Sequence, residues 1–261
     1  MSIVKVLHED NHIIAVVKPA GVLTHGDRTG EISLYDMVKD YIRIKKGKGS
    51  LLEPGNAKQG SEAKLYYPAK PRSETAVSTT GVFLGLVHRL DKPVQGIVLF
   101  GKTSKGASRL SEQFRNHTIQ KTYHGIVVGK LDKQKGELKE QVNKISFFAE
   151  GFINKTDEEL LQEIKKATKT RIAELSWEVV KYIEGLSLLR ILPKTGRFHQ
   201  IRIQMANMGH PILGDSKYSN QKPLPDKSIA LCATSIVFKT ATENKTISLQ
   251  IDLPESWDDL I

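Results

Sequence analysis

The sequence predicts an α+β protein built on a largely antiparallel sheet. Three observations carry that reading. Short runs rich in β-branched residues outnumber helical segments. Many of those runs follow one another directly in the chain. The helical segments that do occur space their apolar residues three and four apart, as helices lying on a core must.

Residues 3–7 (IVKVL) and 13–18 (IIAVVK) read as strands, with Asp10-Asn11 supplying turn chemistry between them. KPAG at 18–21 breaks the second strand. SLYDMVKDYIRIK at 33–45 brings Leu34, Met37, Val38, Tyr41 and Ile42 to one face of a helix. Residues 46–80 are rich in Gly, Pro, Ser and Lys and read as a long, basic, irregular excursion. GIVLFGK is a strand. SKGASRLSEQFRNH at 104–117 is an amphipathic helix with Ser104 as its expected N-cap. KTYHGIVVGK at 121–130 is a strand, and 155–170 reads as a polar surface helix. SWEVVKYI and LSLLRILP are two further strands. GRFHQIRIQMANMGH at 196–210 reads as a helix with Ile201, Met205 and Met208 on one side, and LCATSIVF and TISLQIDL supply the last strands. Neither an internal repeat nor an interdomain linker is evident, so 1–261 reads as a single domain.

The 261 residues carry 39 Lys and Arg against 29 Asp and Glu, a net charge of +10. Such an excess points to a polyanionic partner, nucleic acid first. The single cysteine, Cys232, excludes an internal disulfide and a Cys-rich zinc site; its apolar surroundings predict a buried, inert thiol. The N-terminus lacks the apolar stretch of a secretion signal, and no run approaches 18 apolar residues. The expectation is a cytoplasmic protein with no membrane span, monomeric by default.

HEDNH, residues 8–12, spells the H-E-x-x-H of zinc proteases. That pattern binds metal on a helix, where histidines four apart face one ion. Strand-like flanks and the Asp10-Asn11 turn predict a hairpin tip instead, and no metal site. VHRLDKPVQG, residues 87–96, carries more chemistry. Asp91 sits in an apolar context, and a carboxylate there must face a cleft or a cation, because burying it unpaired is costly. Arg202, in GRFHQIR, is the candidate partner; an ordinary structural ion pair is the plainer alternative. The protein-kinase signature H-R-D-L differs in order, and neither a Gly-rich loop nor D-F-G accompanies it. His88 is expected to be a packed, hydrogen-bonded side chain rather than a catalyst.

DNHIIAVVKPAGVLTH, VHRLDKPVQGIVLFGKT, QKTYHGIVVGK and PKTGRFHQIRIQMANMGHPILGDSKY occur in this order and span most of the chain. With them the sequence resembles the RluA-type RNA pseudouridine synthases. The resemblance implies a pseudouridine-synthase-like mixed, mostly antiparallel sheet flanked by helices and loops, with a central RNA-binding cleft. It implies isomerisation of uridines in structured RNA, ribosomal RNA ahead of transfer RNA, without cofactor or metal. The family's catalytic aspartate falls on Asp91, the tyrosine that stacks on the target uracil on Tyr123, and the arginine partner on Arg202. Arg89 corresponds to the arginine that fills the space of the extruded base. Lys121, Gly196, Arg197, His199 and Gln200 are the further positions implied to meet RNA. An arginine beside the aspartate would keep it charged. TGR offers backbone N–H groups and Arg197 to a phosphate at a helix start. Lys18 and Pro19 are expected to shape the sheet edge nearby.

The sequence departs from the family at Val94-Gln95-Gly96, at Gln204 where a histidine is usual, and at Cys232 in place of a usual histidine. These changes bear on specificity more than on activity. The chain is expected to begin directly with the catalytic region, without a separate N-terminal RNA-binding domain, which would make 46–80 the candidate for selecting RNA. The competing function is a non-catalytic RNA-binding or ribosome-assembly protein on the same fold. Asp91, Tyr123 and Arg202 together speak against it, since binding alone needs no aspartate facing phosphates.

Overall fold

The computed structural model describes residues 4–27, 30–47, 81–142 and 171–261. Most of the 46–80 excursion and the expected helix at 155–170 fall outside these residues. Among the described residues no helix is long and apolar enough to cross a membrane. The chain divides into two compact units. The first holds Met1–Ile119 and Ser235–Ile251, the second Gln120–Thr234 and Asp252–Ile261. Two of the three divisions fall at the edge of or inside a strand, which is why no linker composition marks them.

In the first unit, β1 (Lys5–Glu9) and β2 (Ile13–Lys18) form an antiparallel hairpin, β3 (Gly85–Leu86) is short, and β4 (Gln95–Gly101) pairs with β2. β2 and β4 are buried on both faces, which explains their unbroken apolar runs. Helix α1 (Leu34–Lys45) starts in a capping box: Ser33 Oγ accepts from the Asp36 N–H, and the Asp36 carboxylate accepts from the Ser33 N–H. Helix α2 (Ser104–Arg115) is capped by Thr103, whose hydroxyl accepts from the Gly106 N–H; the cap lies one residue before the expected Ser104. Leu110 of α2 joins Ile13, Ala15, Ile97 and Leu99 in one apolar cluster. The Tyr35 ring of α1 meets Phe100, 6.2 Å between centroids. Since Leu99 and Phe100 point to opposite faces of β4, the two helices cover opposite faces of that strand. A Cβ at Gly101 would lie 2.4 Å from the Ala107 nitrogen, and one at Gly106 would lie 2.1 Å from the His12 carbonyl oxygen. Both positions therefore need glycine for α2 to seat.

In the second unit, β5 (Gln120–Val128) pairs with β8 (Leu186–Pro193), β8 with β7 (Arg171–Ile183), and β7 with β6 (Lys135–Val142), all antiparallel. Ala173, Leu175 and Trp177 of β7 alternate inward, the period of a half-buried strand. Helix α3 is Gln200–Asn207, shorter than the expected 196–210, because His199 adopts a left-handed backbone (φ 50°) and stops the helix from extending back. β9 (Leu231–Lys239) gives its first four residues to this unit and its remainder to the first, where β10 (Thr246–Gln250) pairs with it. Cys232 is fully buried, and burial pushes its thiol up to about 12, as expected of an inert side chain.

Candidate functional site

HEDNH is a hairpin tip. One Asp10 carboxylate oxygen accepts from the N–H groups of His12 and Ile13, both at 2.7 Å, which fixes the turn. His12 Nδ1 lies 2.8 Å from the Thr103 hydroxyl. Glu9 is held by Lys45 and Lys102, each at 2.6 Å, and accepts from the Tyr41 hydroxyl. His8 Nε2 lies 3.3 Å from the other Asp10 carboxylate oxygen, so the three residues that would have formed a zinc motif, His8, Glu9 and His12, have separate structural partners, and the strands at their flanks are the reason.

Asp91 lies in the loop that leads into β4, in a turn closed by the Val94 N–H donating to its carbonyl at 3.1 Å. The backbone on either side of it is fixed. On one side the Thr24 hydroxyl donates to the Leu90 carbonyl (2.7 Å) and accepts from the Leu90 N–H (3.1 Å). On the other, the Lys92 carbonyl accepts from both the Lys18 ammonium (3.0 Å) and the Gly21 N–H (2.9 Å). Lys18 is fully buried and also donates to the carbonyls of Pro19 and Val22. Three acceptors match the three donors of an ammonium. Burial pulls Lys18 down to about 7, while the charge of Asp91 acts to raise it. KPAGVLT therefore serves as a cradle for the aspartate loop, a more specific role than shaping a sheet edge. Arg89 is exposed two residues before Asp91. His88 behaves as expected: Nε2 accepts from the Leu99 N–H at 2.9 Å, and the ring lies 4.5 Å from that of Phe114.

The other sequence-predicted residues belong to the second unit. Lys121 and Tyr123, two apart on β5, share one side of the strand. Lys121 Nζ donates to the Thr195 carbonyl at 3.3 Å, and a Cβ on Gly196 would lie 3.8 Å from it. Burial pulls Lys121 down to about 8. Tyr123 sits opposite Ile191 of β8. Gln200, 4% exposed, has a structural role: its oxygen accepts from the Thr195 hydroxyl and the Arg197 N–H, and its amide donates to the Glu174 carbonyl. The expected presentation of TGR at a helix start is corrected accordingly. These residues precede α3, and the Arg197 N–H is taken by Gln200. Arg197 Nε donates to the Ile172 carbonyl.

Arg202 and Asp215 form a side-on ion pair: Nε donates to Oδ2 at 2.6 Å and Nη2 to Oδ1 at 2.7 Å. The Tyr218 ring lies 4.8 Å from the guanidinium carbon, and its hydroxyl is hydrogen-bonded to His199 Nδ1. Phe198 stacks on the His199 ring and is half exposed. Asp215, Tyr218 and Thr24 were not singled out by sequence reasoning. The first two lie inside the quoted HPILGDSKY, and the signal available was an acid and an aromatic in a turn beside a basic helix.

Residues 12–207 match the family described as RNA pseudouridylate synthase. A relative named ribosomal large subunit pseudouridine synthase C, from Rickettsia bellii, is 29% identical over 254 residues, covering 97% of this chain and 69% of that protein. A tRNA pseudouridine synthase C from Pasteurella multocida is 29% identical over 272 residues, covering 98% of this chain and 94% of the other. Among solved structures, human RNA pseudouridylate synthase domain containing 4 aligns with a TM-score of 0.66 at 20% identity, covering 98% of this chain and 92% of that one. That likeness concerns the fold.

Proposed function

The chain belongs to the RNA pseudouridylate synthase family and is an RNA pseudouridine synthase, and we propose that Asp91 is its catalytic carboxylate. The observation that supports this most is the fixing of the backbone on both sides of Asp91, by Thr24 on Leu90 and by Lys18 and Gly21 on Lys92. A carboxylate that must meet a ribose or a base in one geometry gains from a rigid seat. The isomerisation breaks the N-glycosidic bond of uridine, turns the base and rejoins it through carbon 5; the carbon-5 proton leaves and N1 takes one up, so atoms and electrons balance without a cofactor. Asp91 acts as nucleophile or as ribose base. Arg202 supplies the cationic partner and Tyr123 the flat face for the detached base. Reaching the base requires flipping it from its stack, with Arg89 taking the vacated space. Lys121, Gly196, Arg197 and His199 meet the RNA around the target, and Gln200 shapes the loop that carries Arg197.

The substrate is uridine in structured RNA. Relatives carry both ribosomal and transfer RNA in their names, and we place ribosomal RNA first. Incubating the protein with unmodified transcripts of both kinds and mapping pseudouridine by base-specific chemistry tests the order. Modification confined to transfer RNA overturns it. A single catalytic domain, a monomeric state and a cytoplasmic location belong to the same proposal; sedimentation and limited proteolysis of the purified protein test the first two.

A further inference from the structure

Helix α2 and the β9–β10 hairpin flank a cavity of about 410 Å³ within the first unit. One wall is the end of α2, with Arg109, Glu112 and its C-cap Asn116; the other is the end of β9 and the loop into β10, with Lys239, Thr242 and Asn244. The walls are tied to each other. Gln113 Nε2 donates to the Lys239 carbonyl at 2.9 Å, and Gln113 Oε1 accepts from the Lys239 N–H at 2.8 Å. One side-chain amide thus joins the helix to a strand 126 residues on. The loop is held as well. The Thr240 N–H donates to the Lys245 carbonyl at 2.9 Å, and the Lys245 N–H donates to the Thr240 hydroxyl at 3.1 Å. Ala241 anchors it by packing into the apolar cluster that holds Leu110 of α2. The cavity is therefore built before a ligand arrives, which spares most of the ordering cost of binding.

Ala241 is the one apolar side chain among the described residues that line this space. Sites for small apolar ligands are lined mainly by hydrophobic and aromatic side chains, and protein interfaces centre on buried aromatic anchors. Here two cations, amides and hydroxyls share one space, the mixture that meets phosphate, ribose and base edge together. Arg109 pairs with Glu112 at 3.2 Å, but the two side chains are 58% and 51% exposed, so the contact is weak and yields to a phosphate. The C-terminal end of a helix carries partial negative charge. That puts the phosphate toward Arg109 and Lys239 and the base toward Asn116 and Asn244. We infer that this cavity seats one nucleotide of the RNA outside the target uridine. The inference rests on the reading of the chain as an enzyme acting on structured RNA. Its place in the fold suits that role. Gln113 adjoins Phe114, whose ring lies 4.5 Å from that of His88, three residues before Asp91. The helix that forms a wall of the cavity thus also packs on the segment leading to Asp91, and a nucleotide seated there sets the register of the RNA at the target.

The test measures RNA affinity, its salt dependence and the single-turnover rate at saturating RNA, on whichever transcript, ribosomal or transfer, the wild type modifies. Arg109, Asn116, Lys239 and Asn244 are all exposed, and Asn244 has φ 55°, a backbone that glycine adopts without strain, so the variants keep the fold. Arg109→Ala with Lys239→Ala is expected to weaken binding about tenfold and to lower the salt slope by about two. The chemical step should stay within about twofold of wild type, because only binding common to ground and transition states is lost. Asn116→Ala with Asn244→Gly is expected to weaken binding about fivefold at an unchanged salt slope. Glu112→Gln, which releases Arg109, is expected to tighten binding about twofold at low salt. Lys133→Ala, an exposed cation outside the cavity, controls for charge alone. Asparagine variants with wild-type affinity, or a loss in Lys133→Ala as large as in Lys239→Ala, overturn the inference, since the cavity is then ordinary basic surface. A slowed chemical step at full affinity overturns it too. Modification by the wild type with every cavity variant binding as tightly brings down the cavity alone; a wild type that binds and modifies neither RNA brings down the reading beneath it.

Discussion

The Lys18 ammonium donates to the carbonyl oxygen of Lys92, the residue that follows Asp91, at 3.0 Å. A buried cation is thus spent on backbone, and the backbone it holds is the one that carries the proposed catalytic carboxylate. Lys18→Met keeps the apolar stem and removes all three donors. It is expected to cost at least about 2 kcal/mol, because three carbonyls lose a partner, and to reduce turnover through the displaced loop. The pH dependence has a definite sign. Burial lowers Lys18 from 10.5 to about 7 in the folded protein, so between those values the unfolded chain binds more protons. The stability of the wild type relative to Lys18→Met should therefore rise from pH 7 toward pH 10. Denaturant titrations at three pH values measure it, and a flat difference contradicts the account.

Thr24 uses a single hydroxyl to pair both backbone groups of Leu90, and it is 4% exposed. Thr24→Val leaves a buried N–H and a buried carbonyl short of a partner and should cost about 1–3 kcal/mol. Thr24→Ser keeps the hydroxyl and should stay close to wild type. Equal stability of the Val and Ser variants in thermal melts is the contrary result.

Glu9 belongs to the structural network at the hairpin, not to a metal. Burial alone would raise its carboxyl, but the bonds from Lys102 and Lys45 hold it below the usual 4.5. Glu9→Ala should lose about 1–3 kcal/mol near neutral pH. A lowered carboxyl stabilises the fold above its unfolded value, so the wild type's advantage should shrink as pH falls below 4.5. Chelators should change neither stability nor turnover. Stoichiometric zinc in metal analysis of the purified protein speaks for the reading rejected here.

Tyr123 is proposed to offer a stacking face. Base stacking of this kind is worth about 1–3 kcal/mol. Tyr123→Ala should therefore lose roughly tenfold or more beyond Tyr123→Phe in the rate of the chemical step. Identical rates for the two variants, measured on one RNA, count against stacking.

Local signals account for what could be read in advance. Period-two and buried apolar runs located every described strand of five residues or more apart from β6, and 3–4 spacing located α1 and α2. β6 was not visible because KGELKEQV is polar on both faces, as suits the strand at the end of the order in its unit. The length of α3 was overestimated because GRFHQIR continues the helical spacing while His199 adopts a left-handed backbone that spacing cannot reveal. Asp91, Tyr123 and Arg202 came from motifs, and their proposed roles with them. What motifs could not supply were the supports: the Thr24 hydroxyl on Leu90, the Lys18 ammonium on three carbonyls, and Asp215 on Arg202. Each joins residues distant in sequence or buried within a turn, and each depends on side-chain geometry rather than on spacing.

Tritium release from RNA labelled at uracil carbon 5 tests the central claim most directly, with wild type and Asp91→Ala compared on ribosomal and transfer RNA in the presence of chelator. The account predicts release by the wild type and none by Asp91→Ala, at undiminished RNA binding and stability. Release by a folded Asp91→Ala at the wild-type rate contradicts it.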